Sequence, residues 1–171
     1  TTQIAGDEPG NPWGQGKNVP LIAMAHGIPY VATATVADLR DLERKVEKAM
    51  SVRGARYIHI FVPCPLGWGA ASGQTIHLAR LAAETGIFPV FEAEFGEGTG
   101  VRHIRRKEPV EAYLKLQKRF AHLFGKRGNP EVIARIQRMA DHNIRKFGLL
   151  ADEPEQIIPV PEQAEERSHQ I

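Results

Sequence analysis

The sequence predicts an α/β fold built on a mainly parallel sheet, followed by two C-terminal helices and an extended tail. Three observations predict it. Segments with helical periodicity alternate with short runs rich in β-branched residues, the first of those runs carries no charge at all, and the connections are short and marked by glycine or proline. At 171 residues the chain has the length of about one domain. A composition of 42% hydrophobic and 25% charged residues excludes collagenous, wholly disordered and membrane-spanning classes. No apolar run approaches the ~20 residues a spanning helix needs. Lys+Arg number 22 against 20 Asp+Glu, a net charge of +2, so the sequence carries no general nucleic-acid signal.

Residues 1–17 hold Gly6, Pro9, Gly10, Pro12, Gly14 and Gly16 with few apolar partners, which is loop chemistry. Asn18 is an N-cap, Pro20 sits in a first turn, and Leu21, Ile22 and Met24 lead to His26-Gly27, so a short helix is expected there. Tyr30 to Val36 reads as a buried parallel strand. Asp38 then opens a helix whose apolar face is Leu39, Leu42, Val46 and Met50, with Gly54 closing it. Tyr57 to Val62 is a second strand, and Pro63 to Gly69 a loop whose prolines and glycines forbid regular structure. A helix over Thr75 to Glu84 stops at Gly86, and a third strand runs from Ile87 to Phe95. Beyond residue 100 come a basic stretch to Lys107, a helix from Pro109 through Leu123, and a helix from Asn129-Pro130 with Val132, Ile136, Ala140, Ile144 and Phe147 apolar. Prolines 154, 159 and 161 among acidic and amide residues mark an extended tail.

The single cysteine, Cys64, excludes an internal disulfide and any metal site made from several thiolates of this chain. Prolines on both sides hold it in a fixed direction at a strand's carboxyl end, which suits a metal ligand or a nucleophile; the alternative is a buried structural thiol. The seven histidines lack metal-ligand spacing and receive no role, His59 included, and His26 reads as helix-terminal. Gly96-Glu97-Gly98-Thr99-Gly100 follows a strand but leads into no helix, so it reads as a hairpin turn and not a phosphate loop. Arg102, Arg105, Arg106 and Lys107 form either a solvated face or a contact for an acidic partner. Trp68 covers a cofactor or an interface, or anchors packing.

Four blocks carry a family resemblance: Lys17 to Ala34 (KNVPLIAMAHGIPYVATA), Pro63 to Gly69 (PCPLGWG), Glu84 to Val90 (ETGIFPV) and Pro109 to Gln117 (PVEAYLKLQ). Together they resemble the β subunit of pyruvate:ferredoxin oxidoreductase and its 2-oxoacid:acceptor relatives, over residues 1 to about 150. The resemblance implies part of a thiamine-diphosphate-binding fold, in an enzyme that oxidatively decarboxylates a 2-oxoacid to acyl-coenzyme A and CO2. Electrons would pass through a [4Fe–4S] cluster to ferredoxin, or to NAD through another subunit. Cys64 matches the position of a fourth cluster cysteine. The family's early cysteine pair, its Gly-Asp-Gly signature for diphosphate and magnesium, and the metal loop after it are absent from this sequence.

The expected organisation is therefore a C-terminal half of a thiamine-diphosphate-binding domain over residues 1–100, a helical extension over 101–148 and a tail over 149–171. Thiamine diphosphate, Mg2+ and the [4Fe–4S] cluster would all be completed by residues outside this chain. Expected partners are further subunits of α, γ and δ type, a ferredoxin or an NAD-reducing subunit, the 2-oxoacid and coenzyme A, with neither nucleic acid nor membrane. No catalytic residue is assigned. The 2-oxoacid is pyruvate or a relative such as phenylglyoxylate, and the location cytoplasmic, where a thiol stays reduced. A non-catalytic accessory or docking module with a structural cysteine is the alternative.

Overall fold

The computed structural model describes residues 17–126 and 128–151; the glycine-rich start and the tail beyond residue 151 lie outside the described residues. Helix α1 (Val19–Ala25) begins at Asn18, whose side chain accepts from the Leu21 N–H at 3.2 Å, and ends before Gly27 at φ +66°. Strand β1 (Tyr30–Thr35) is buried along its whole length. Helix α2 (Leu39–Ser51) is capped by Asp38, and strand β2 (Arg56–Phe61) returns parallel to β1. One-turn helix α3 (Pro65–Trp68), a 3-10 turn at Ser72–Gln74 and helix α4 (Thr75–Glu84) lead to strands β3 (Phe91–Glu94) and β4 (Glu97–Val101). Helix α5 (Val110–Lys115), a 3-10 segment at Lys118–Leu123 and helix α6 (Pro130–Lys146) follow.

The four strands form one sheet in the order β2-β1-β3-β4. Only β1 and β2 are parallel; β3 is antiparallel to β1 and to β4, so the sheet is mixed and not mainly parallel. The tight connection between β3 and β4 can be shared only by antiparallel strands, which accounts for that pair. Phe95 (φ +51°) and Gly96 (φ +88°) are its two central residues, both with the positive φ such a hairpin requires. The expected hairpin is thus present, but Glu97 to Val101 is its return strand and not its turn. Strand β3 starts later than the expected Ile87 because Pro89 has no N–H to give. Thr33 Oγ1 bridges the gap, donating to Pro89 O (2.8 Å) and accepting from Phe91 N–H (2.9 Å).

Alternate residues of β1 reach opposite faces of the sheet. Val31 joins Met24, Phe91, Ala93, Ile144, Phe147 and Leu149 in one cluster, whereas Tyr30 and Ala32 pack against Ala49 of α2. A third cluster sets Leu78, Leu81 and Ala82 of α4 against Val110, Tyr113, Leu114, Leu123 and Ala140. Gly86 (φ +77°) lets the chain leave α4 against α6, since a Cβ there would lie 2.6 Å from Ile144 Cγ1.

Two further expectations are corrected. The helix expected from Pro109 through Leu123 stops at Lys115, because the buried Gln117 side chain donates to Tyr113 O (2.7 Å), the acceptor its own backbone N–H would use in a continuing helix. That N–H turns to Leu114 O instead. In α2 the apolar face is outside: Leu39, Val46 and Met50 are exposed, while Lys45 and Ala49 are buried. Lys45 Nζ is satisfied by Thr33 O (2.9 Å) and Asp41 Oδ2 (2.6 Å).

Candidate functional site

Cys64 lies three residues beyond β2, at the carboxyl end of a parallel strand pair, and is exposed. The segment expected to be irregular is a helical turn that Cys64 itself caps: its Sγ accepts from the Gly67 N–H at 3.4 Å and its carbonyl from the Trp68 N–H at 3.0 Å. Pro65 is at the first helical position and Gly69 (φ +63°) ends the turn, a proline-start, glycine-stop signal legible in the sequence itself. A Cβ on Gly67 would sit 3.3 Å from Sγ, so glycine leaves the sulfur its place.

The turn is fixed on two sides. Tyr57, His59 and Phe61 project from one face of β2, and Phe61 meets Phe88 (centroids 4.9 Å apart) and Trp68 (5.7 Å). Tyr57 OH and His59 Nδ1 are 3.2 Å apart, and His59 packs edgewise on Phe88. From the other side the Lys118 N–H donates to Gly69 O (3.3 Å) and the Arg119 guanidinium stands 3.9 Å from the Trp68 ring centre. Arg119 Nε donates to Gln117 Oε1 (2.8 Å) and Nη2 to Tyr113 OH (3.3 Å). Burial pushes the Arg119 guanidinium down from its ordinary value, with Tyr113 opposing, and burial pushes the Tyr113 hydroxyl up. Trp68 is therefore a packing anchor for the cysteine turn. Arg119 had no signal in the sequence, because its contacts depend on the unforeseen break after α5.

The remaining candidates lie elsewhere. His26 ends α1 as expected. Arg102 pairs with Asp38 (3.3 Å), Arg106 with Glu108 (2.9 Å) and Lys107 with Asp141 (3.0 Å), so much of the basic run is matched within the chain. Among the described residues no three His, Cys, Asp or Glu side chains are grouped to hold a metal ion. The acidic groups near the sheet are engaged with cations: Asp41 with Lys45, Glu92 with Arg44, Glu94 with Lys48. The described donors thus do not fit a magnesium diphosphate site. Cys64 does fit one corner of an iron–sulfur cluster, being an accessible thiol with a backbone N–H already directed at its sulfur. Among the described residues no helix is long and apolar enough to cross a membrane.

The fold and this turn define an α/β protein with one exposed cysteine presented beyond a strand end. No protein-family model matches the chain. It is 50% identical over 133 residues to pyruvate synthase subunit PorB of Methanosarcina barkeri, covering 78% of this chain and 45% of that protein. It is 38% identical over 165 residues to PorB of Pyrococcus furiosus, covering 86% and 47%. It is 46% identical over 109 residues to ketoisovalerate oxidoreductase subunit VorB of Pyrococcus abyssi, covering 63% and 35%. Over these spans the chain is a homologue of the β subunits of the 2-oxoacid:ferredoxin oxidoreductase family, as the four sequence blocks led us to expect. It spans under half the length of these curated relatives.

Proposed function

We propose that this chain is the part of a 2-oxoacid oxidoreductase β subunit that presents one thiolate, Cys64, to a [4Fe–4S] cluster. The observation that carries the reading is the exposed, backbone-fixed Cys64 turn in a chain 50% identical to a pyruvate synthase subunit. The complete assembly would convert a 2-oxoacid anion, coenzyme A and two one-electron acceptors to acyl-coenzyme A, CO2, the two reduced acceptors and one proton. Thiamine diphosphate with Mg2+, held by residues outside this chain, would supply the electron sink for decarboxylation, and a cluster with Cys64 as one ligand would pass electrons singly to ferredoxin, or to NAD through a further subunit. This chain's residues contribute positioning: Phe61, Trp68, Lys118 and Arg119 hold the turn that aims the thiolate. Pyruvate is the first substrate to test and 3-methyl-2-oxobutanoate (ketoisovalerate) the second, after the names of the relatives. Residues outside this chain supply the remaining cluster thiolates, and a reducing cytoplasm keeps them free for iron.

The test is Cys64→Ala and Cys64→Ser in the complete complex, with iron and sulfide analysis, electron paramagnetic resonance and 2-oxoacid-dependent acceptor reduction. The expected result is loss of one cluster's signal together with acceptor reduction. Unchanged iron content and activity would overturn the assignment and favour a docking module with a structural cysteine.

A further inference from the structure

Among the described residues two arginines are half-buried, Arg102 and Arg119. Arg102 has carboxylates at hand, with Asp38 at 3.3 Å and Glu84 at 3.9 Å. Arg119 is surrounded by neutral groups. Its Nε donates to Gln117 Oε1 and its Nη2 to Tyr113 OH, and its Cζ lies 3.9 Å from the Trp68 ring centre and 4.8 Å from that of Phe120. No described carboxylate stands within ion-pairing distance of it. A guanidinium drawn partly out of water without an anion carries a desolvation cost that ring and hydroxyl contacts offset only in part.

The cation is nevertheless held firmly. Gln117, 1% exposed, donates from Nε2 to Tyr113 O (2.7 Å) and turns its Oε1 to Arg119, and the Lys118 N–H donates to Gly69 O (3.3 Å). The break after α5 thus brings residues 118 and 119 against the cysteine turn. Trp68 ends α3, four residues beyond Cys64, and its N–H donates to Cys64 O (3.0 Å). Four residues of helix rise about 6 Å, so with the 3.9 Å ring contact the guanidinium stands on the order of 10 Å from Cys64. A [4Fe–4S] cluster held by thiolates is anionic, and reduction adds a further negative charge. A fixed cation with no carboxylate of its own is the electrostatic complement of such a group.

We propose that Arg119 is a positioning residue of the Cys64 site: it holds Trp68 in place and supplies the fixed positive charge that raises the reduction potential of the cluster bound there. The inference rests on Cys64 being a cluster ligand and goes beyond it, because ligation alone does not say what sets the potential. The sign follows from charge: a cation favours the more negative, reduced state, so its removal lowers the potential. At a separation of roughly 10 Å and an effective dielectric constant of about 20, one unit charge shifts the one-electron equilibrium about tenfold, or about 59 mV.

The experiment compares Arg119→Gln, which loses the charge, with Arg119→Lys, which keeps it, in the complete complex. Redox titration followed by electron paramagnetic resonance reads the cluster whose signal Cys64→Ala removes, alongside iron and sulfide content. Arg119→Gln should lower that cluster's potential by about the tenfold equivalent, while Arg119→Lys moves it by less than half as much. Arg53→Gln is the control: this exposed residue precedes β2, at the end of the strand opposite Cys64, and should leave the potential unchanged. Loss of the cluster in Arg119→Gln with retention in Arg119→Lys also supports the proposal. An unchanged potential in Arg119→Gln, equal shifts in the Gln and Lys variants, or equal loss of iron from both overturns it. If Cys64→Ala removes a cluster signal that Arg119→Gln leaves unmoved, this inference fails and the ligand role of Cys64 stands. If Cys64→Ala removes no signal, both fail.

Discussion

Replacing Glu92 tests how the sheet holds α2. The carboxylate is almost wholly buried and serves three side chains on two elements: Oε2 accepts from the Tyr30 hydroxyl of β1 (2.8 Å), and from α2 Arg44 pairs with Oε1 (2.7 Å) and Lys48 lies 3.4 Å from Oε2. In Glu92→Leu the hydroxyl of Tyr30, a residue with 0% exposure, loses its acceptor, a loss that costs about 1–3 kcal/mol. Arg44 and Lys48 keep access to water, so their lost pairings cost under about 1 kcal/mol each. The sum is about 2–4 kcal/mol; Glu92→Gln, which keeps an acceptor for Tyr30, should cost about half as much. Burial pushes the Glu92 carboxyl up, but hydrogen bonds from Arg44 and Tyr30, with the charges of Arg44 and Lys48, outweigh it and hold the group below its ordinary value. With the folded value below the unfolded one, the unfolded chain takes up the proton first as pH falls. The stabilisation is present above the unfolded value of about 4.3 and is lost as pH drops through the folded one. Urea unfolding followed by circular dichroism from pH 7 to pH 3 reads both effects. Identical acid slopes in wild type and Glu92→Gln, or a loss under about 1 kcal/mol in Glu92→Leu, would refute the account.

Three other substitutions probe the backbone. Gly86→Ala should cost about 2–4 kcal/mol in urea unfolding, since φ is +77° and the new methyl would lie 2.9 Å from Ala140 O as well as against Ile144. Gly69→Ala puts a Cβ 2.7 Å from Lys118 Cβ at φ +63°, so it should lower the iron content of the complex while the circular dichroism of the sheet is kept. Phe95→Asn should raise stability by about 0.5–1 kcal/mol by thermal unfolding, because Phe95 is 71% exposed and sits at φ +51°, a region asparagine tolerates better.

What the sequence disclosed and withheld follows a physical line. Features fixed by a few neighbouring residues were legible: the Asn18 cap with Pro20 and Gly27 gave α1, and Thr75 to Glu84 is α4 to the residue. Features fixed by partners distant in sequence were not. The antiparallel pairing of β3 with β1 and the Thr33 bridge to Pro89 join residues some 56 or more positions apart. The break after α5 depends on one side chain outcompeting a backbone donor for Tyr113 O. Asn18 and Asn129 announced their helices because each caps with an amide oxygen, whereas Cys64 caps α3 with sulfur, a poor sequence signal for the same geometry.

The lone cysteine looks different once its surroundings are known. A ligand that supplies one corner of a cluster cannot rely on other thiolates of its own chain to orient it, so the orientation must be built into the backbone around it. That is the physical sense of Pro65 starting the turn, of Gly67 yielding room to the sulfur, of Gly69 pressed on Lys118 and of Trp68 held between Phe61 and Arg119. A structural thiol in a core would need none of this, because burial among neighbours would already fix it. An exposed thiol so constrained has its freedom removed without gaining burial in return, and that arrangement is what motivates the proposed ligand role. Among the described strands β2 pairs only with β1, and it runs directly into the same turn.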